Sequence, residues 1–252
     1  VFDDKIKPLG HQYSPLWFPN IFILARKKSG KTTILYNLLR KCINKRTAVF
    51  TFCSTAHKDP AWKEILKMFD ERDIPHTEFL SIEADNGENN LLNVIETLKA
   101  PLENEEKTIE QPRIIHTTLD IPKEQKQKPR PQRTPELCFI FDDLGEACRN
   151  PTLTQLMKTN RHYKALVIIL SQSFTDLTPS ARKQIDQCLV FKGLNLEKLK
   201  GLYRDLDPSC DFETFKELYD DATAEKYAFL NVDTRNATFK RNFDYQYILE
   251  AV

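Results

Sequence analysis

Runs of consecutive apolar residues recur along the chain at strand length: Ile21–Leu24, Ala48–Phe52, Leu137–Phe141, Ala165–Leu170, Cys188–Phe191 and Tyr227–Val232. Most are continuous rather than alternating, as expected of strands buried on both faces in a parallel sheet covered by helices. Helical stripes fall between them. Ile34, Leu35, Leu38, Leu39 and Ile43 form one, Leu196, Leu199 and Leu202 a second, and Phe212, Phe215, Leu218 and Tyr219 a third. This alternation predicts an α/β fold, a mostly parallel central sheet with helices on both faces.

One stretch breaks the pattern. Residues 100–135, "APLENEEKTIEQPRIIHTTLDIPKEQKQKPRPQRTP", are rich in Pro, Glu, Lys and Gln and have neither period. Such a segment buries too little apolar surface to offset its ordering entropy. It is predicted to be a long, exposed, mobile insertion within a single domain spanning 1–252. Its basic end, 126–133, can touch a polyanion, although a solvated linker is the simpler reading.

The 252 residues suffice for one substantial core. Lys and Arg total 37 against 36 Asp and Glu, so no globally basic surface argues for nucleic acid. Contact with a polyanion would have to come from local clusters, or from several subunits pooling them. The six cysteines are scattered without a C-x-x-C pair, which predicts reduced, mostly core thiols in an intracellular protein. No apolar stretch approaches the ~18 residues of a membrane span.

The first apolar run leads directly into cations. Residues 25–32 read A-R-K-K-S-G-K-T, close to the G-x-x-x-x-G-K-[ST] phosphate loop, and stand between a predicted strand and a predicted helix. In such a loop, backbone N–H groups and the helix N-terminus point at phosphate oxygens. The candidate phosphate-binding residues are Ala25, Arg26, Lys27, Lys28, Ser29, Gly30, Lys31, Thr32 and Thr33. Gly30 allows close approach, Lys31 would reach the β- and γ-phosphates, and Thr32 would hold Mg²⁺. Ala25 stands where the motif has its first glycine. Alanine costs little there if φ is negative and strains the loop if φ is positive.

A partner for the loop is "LCFIFDDL", 137–144, a buried run ending in two carboxylates. Asp142 would emerge at the carboxyl end of a strand, where α/β sheets bind ligands, and there order Mg²⁺. Asp143 would orient or deprotonate an attacking water. Adjacent strand residues point to opposite faces, so Asp143 must sit on the turn to share the site. The same letters at 1–4 follow no apolar run, and Asp3 and Asp4 read as solvated acids. A further run ends in Ser171, Gln172 and Ser173, where Gln172 either senses a γ-phosphate or caps the strand end.

Together these segments resemble the FtsK–HerA superfamily of P-loop ATPases. The likeness is greatest to its viral branch, the poxvirus-type genome-packaging ATPases of large DNA viruses, virophages and related elements. "IFILARKKSGKTT" is similar to the Walker A strand and loop, "AVFTFCSTAHKDPAW" to the second strand and following turn, and "LCFIFDDL" to Walker B. "RHYKALVIILSQSFTDLTPSARKQIDQCLVF" (161–191) is the most specific match, and "NATFKRNFD" resembles the closing segment. The resemblance implies the additional-strand type of P-loop NTPase, with the 165–171 strand between those carrying Walker A and Walker B. That would put Gln172 between Lys31 and Asp142. It also implies an ATP- and Mg²⁺-dependent ring of identical subunits that moves double-stranded DNA without regard to sequence. The ring would work with a capsid or portal vertex protein at the viral assembly site in the host cell, the cytoplasm ahead of the nucleus, and could associate with the virion.

A ring ATPase often draws an arginine from the neighbouring subunit. Arg161 is the first candidate, with Arg182 and Arg149 behind it. Arg40, Lys41, Lys45 and Arg46 could meet phosphates, although a solvated helix or loop face is the simpler reading of each. Trp17 and Phe18 could stack on adenine or sit in the core. Three other functions remain open: a cellular or conjugative pump of the same superfamily, a P-loop kinase for a small molecule, and a scaffold that binds ATP without turnover.

Overall fold

The computed structural model describes residues 6–107 and 133–249. In chain order the first half forms β1 (Asn20–Leu24), α1 (Lys31–Cys42), β2 (Ala48–Cys53), α2 (Pro60–Glu71), β3 (His76–Phe79) and α3 (Asn90–Lys107). Then come β4 (Leu137–Asp142), α4 (Pro151–Thr159), β5 (Ala165–Ser171), α5 (Pro179–Arg182) and β6 (Gln187–Phe191). The chain closes with α6 (Leu196–Leu206), α7 (Phe212–Ala222), β7 (Phe229–Asp233), β8 (Thr238–Arg241) and β9 (Tyr245–Gln246). Most of the predicted insertion falls outside the described residues. Helix α3 takes in 100–107, and 133–135 lead into β4.

The strands form one sheet in the order β3-β2-β4-β5-β1-β6-β7-β8-β9. From β3 to β6 every pairing is parallel; β7, β8 and β9 add antiparallel. Strand β5 lies between β1 and β4, with Leu24 opposite Ser171 and Asp142 opposite Leu170, the placement the resemblance implied.

The continuous apolar runs follow from cover on both faces. Ile21 and Ile23 of β1 point into a core with Leu35, Leu38 and Leu39 of α1 and Trp62, Ile65 and Phe69 of α2. Phe22 and Leu24 point the other way, into a core with Leu153 and Leu156 of α4, Leu202 of α6 and Phe215 of α7. No residue of β1 is solvated. Deleting a large side chain from either core costs about 2–5 kcal/mol.

Two elements depart from the sequence reading. Leu196 is half exposed, and the buried stripe of α6 is Leu199, Leu202 and Leu206. Strand β7 begins at Phe229 rather than Tyr227, because Tyr227 has φ 69 and cannot extend the strand. The thiols are free, and all but Cys210 are buried. Among the described residues, no helix is long and apolar enough to cross a membrane.

Candidate active site

The carboxyl ends of β1, β4 and β5 meet at one rim. Strand β1 runs out into Ala25, which is buried and donates its N–H to Ser171 O at 3.0 Å, continuing the pairing with β5. Ala25 is not among the residues with positive φ; those in the loop are Lys28 (φ 62) and Gly30 (φ 91). The missing first glycine is thus a position that needs none, and alanine fits without strain.

Between Ala25 and α1 the chain makes a tight turn. Ser29 donates to Arg26 O from its N–H (3.3 Å) and its hydroxyl (2.6 Å). Arg26, Lys27, Lys28 and Thr33 are exposed, and Thr32 is nearly buried in the first helical turn. Helices α2, α4, α5, α6 and α7 each have a side-chain N-cap: Asp59, Asn150, Thr178, Asn195 and Asp211. Helix α1 has Gly30 there and no side-chain cap. A glycine in place of a capping side chain forgoes only about a few tenths of a kcal/mol and leaves N–H donors for an anion at the positive end of the helix dipole.

The acids face this end. Cys138 and Ile140 point toward α1 and α2, so the alternation of β4 brings Asp142 out on the same face. Asp142 is buried; Lys31 Nζ donates to its Oδ1 at 2.9 Å and Trp62 Nε1 to its Oδ2 at 2.8 Å. Asp143 leaves the strand at φ 54, on the turn, as sharing the site requires. Its Oδ1 accepts from Lys31 Nζ at 2.5 Å and from Gln172 Nε2 at 3.4 Å. Lys31, Asp142, Asp143 and Gln172 thus come together from three elements.

Their charges are set by opposing effects. Burial pulls the Lys31 ammonium down, but the charge of Asp142 and the hydrogen bonds to both acids leave it above the ordinary lysine value. Burial pushes the Asp142 carboxyl up, and Lys31 and Trp62 only partly reverse this. The half-exposed Asp143 is also raised by burial, but Lys31 and then Gln172 outweigh that and hold it below the usual carboxylate range. Two neighbouring acids are therefore pushed in opposite directions.

Other candidates lie elsewhere. Arg161 stands before β5, at the opposite rim, more than half exposed, with Nη2 3.4 Å from Asp186 Oδ1. It cannot reach the site of its own chain. Arg182 is held inside the subunit by an ion pair with Asp205 and lies 5.7 Å from the Phe174 ring centroid. Arg149 donates to Thr175 O at 3.1 and 3.0 Å, tying the turn after Asp143 to the turn after Gln172. Trp17 and Phe18 precede β1, at the end remote from the loop, and cannot stack on a nucleotide bound there; Phe18 is core. Arg40, Lys41, Lys45 and Arg46 are exposed at the far end of α1. Sequence reasoning gave Trp62 no task, because its contact with Asp142 spans 80 positions and has no local signal.

An uncapped helix behind a strand-borne loop, an acid-tipped strand and an intervening β5 together define a P-loop NTPase fold of the additional-strand type. Residues 101–202 match the family model described as "Poxvirus A32 protein", in keeping with the poxvirus-type likeness read from the sequence. No curated protein sequence matches the chain. Among solved structures, the genome packaging NTPase B204 of Sulfolobus turreted icosahedral virus 2, in complex with AMP, superposes with a TM-score of 0.55 at 14% identity, over 89% of this chain and 96% of that one. The same protein in complex with ATP-gammaS gives 0.54 at 15% identity, again over 89% and 96%. B204 of Sulfolobus turreted icosahedral virus, described as a DNA-packaging ATPase, gives 0.53 at 15% over the same shares.

Proposed function

We propose that this chain is the ATPase of a viral genome-packaging motor. It hydrolyses ATP as a subunit of a homo-oligomeric ring and drives double-stranded DNA into a capsid, docked on a capsid or portal vertex protein inside the infected cell. The observation that carries the reading is Lys31 Nζ lying between Asp142 and Asp143, in front of an uncapped helix. The poxvirus A32 match and the B204 superpositions support it.

The donor set fits Mg²⁺. Thr32, in the first turn of α1, and Asp142, at the tip of β4, offer hard oxygens, and no group of three or more His, Cys, Asp or Glu that could hold a metal occurs among the described residues. Magnesium takes one or two protein oxygens and completes its shell from phosphate and water. When bound, the ion neutralises charge on the β- and γ-phosphates.

The chain's own groups divide the remaining tasks. The N–H groups of residues 30–33 hold the phosphates. Lys31 exchanges its two carboxylates for phosphate oxygens, and Asp143 thereby loses the ammonium that keeps its carboxyl acidic. It becomes a better acceptor for a proton of the attacking water, while Gln172 orients that water or the γ-phosphate. Arg161, exposed on the far rim, is offered to the neighbouring subunit's γ-phosphate, where such a finger contributes roughly 10³–10⁵ in rate.

The test is ATP turnover with and without double-stranded DNA for wild type, Lys31→Ala and Asp143→Asn. DNA-stimulated hydrolysis lost in both variants is expected. Phosphate transfer to a small acceptor without DNA stimulation would establish a kinase instead, and tight binding without turnover a scaffold.

A further inference from the structure

The connection from α7 to β7 carries an aromatic residue that the mechanism leaves without a task. Tyr227 is 55% exposed and has φ 69, a region that bulky side chains enter only when the surrounding structure holds them there. It lies at the phosphate-loop rim, because β7 runs antiparallel to β6 and Phe229 pairs with Phe191 at the end of that strand. Its ring borders the loop itself: a Cβ placed on Gly30 would lie 3.4 Å from Tyr227 Cδ1. Lys226 Nζ sits 4.8 Å from the ring centroid, and more than half of the residue stays open even so.

Strand order gives this position a direction. Reading β4-β5-β1-β6-β7 across the sheet, the acids stand on β4, the loop follows β1, and Tyr227 precedes β7. A triphosphate held in the loop with its γ end toward Asp142 and Asp143 sends its nucleoside the other way, toward β6 and β7. On that side Arg26 packs over Gly193, where a Cβ would lie 2.6 Å from Arg26 Nε, and Tyr227 offers the exposed ring. A purine is flat, and each of its π faces can lie against an aromatic side chain. An aromatic ring fixed at the loop's edge is the matching partner.

We propose that Tyr227 is the platform on which the base of the bound nucleotide stacks, and that its left-handed backbone aims the ring toward Gly30. This rests on the nucleotide site proposed above and adds the group that holds the end of the ligand remote from the acids. Stacking reads a π face and not a hydrogen-bond pattern, so phenylalanine serves as well as tyrosine.

The experiment measures dissociation constants for ATP and for inorganic tripolyphosphate by calorimetric titration. It uses wild type, Tyr227→Phe, Tyr227→Leu and Tyr227→Asn, the last because asparagine tolerates a left-handed backbone. Base–aromatic stacking predicts that the Leu and Asn variants bind ATP about 5- to 150-fold more weakly. Tripolyphosphate binding stays unchanged in all four proteins, and Phe matches wild type. Unchanged ATP affinity in Leu and Asn overturns the inference. So does an equal loss for both ligands, which would make Tyr227 a support for the loop's shape. Wild type binding tripolyphosphate as tightly as ATP rejects the platform and leaves the phosphate site standing. Wild type binding neither ligand overturns the nucleotide site and the platform together.

Discussion

Trp62→Phe tests how the metal-side acid is held. The indole is fully buried, and its Nε1–H is the donor to Asp142 Oδ2, at 2.8 Å. A hydrogen bond to an ionised group contributes about 1.5–3 kcal/mol. Trimming indole to phenyl in a closed core adds roughly 1 kcal/mol for lost contacts. The variant should be about 3 kcal/mol less stable, which for a chain of this size lowers Tm by roughly 6–12 °C. The electrostatic share is isolated by a double-mutant cycle with Asp142→Asn, followed by chemical denaturation. Against a neutral amide the indole bond falls to about 0.5–1.5 kcal/mol, so the cycle should show a coupling of about 1–2 kcal/mol. The pH dependence has a definite sign. Burial holds the Asp142 carboxyl above its ordinary value despite Lys31 and Trp62, so its ionised form costs stability. Losing the indole N–H pushes that pKa further up. The penalty is full above the folded pKa and shrinks as pH falls through it. A coupling inside ~0.3 kcal/mol, or a penalty that grows toward acid, would refute this account of how Asp142 stays charged.

Other predictions follow from the same geometry. Ala25→Gly should leave ATP affinity unchanged in titration and lower stability by about 0.5–1 kcal/mol, since the native φ is not positive. Gly30→Ala, at φ 91 and against Tyr227, should lose about 1–2 kcal/mol of stability and most nucleotide binding. An Arg161→Ala subunit mixed with a Lys31→Ala subunit should recover part of the ATPase rate neither has alone; no recovery would remove Arg161 from the trans position. Lys31 holds Asp143 acidic, so their pair stabilises the fold above the unfolded carboxylate pKa and weakens as pH falls through the lower folded value. Asp143→Asn should therefore flatten the acid side of the stability–pH curve.

What the sequence made legible depended on burial. Strands β1, β2, β4, β5 and β6 lie in the sheet interior with helices on both faces, so their apolar runs were continuous and their ends fell within a residue or two of the observed ones. Strand β3, His-Thr-Glu-Phe at the sheet edge, is half exposed and left no such run. The short β9 is exposed and equally silent. Lys31, Asp142 and Gln172 could be read because each sits at the tip of an interior strand or the loop beyond it, where residue type and position coincide. Trp62 could not, because its bond to Asp142 depends on where α2 packs and not on spacing along the chain. Tyr227 was hidden by its own hydrophobicity: it extends the apolar letters of β7, and only its positive φ separates it from the strand. The adenine-stacking alternative for Trp17 falls for the converse reason, since closeness in sequence to β1 says nothing about which end of the strand faces the phosphates.

Strand β5 has one more consequence. All of its residues, Ala165–Ser171, are buried, and it is hydrogen-bonded along its length to β4 on one side and β1 on the other. Such a segment is a stiff rod of about 20 Å. One tip carries the glutamine beside the acids; the other begins just after Arg161. In the proposed ring, a small tilt at the first tip as phosphate departs would reach the second without any intervening hinge. A signal between neighbouring sites would then cross one strand and the short turn that holds Arg161.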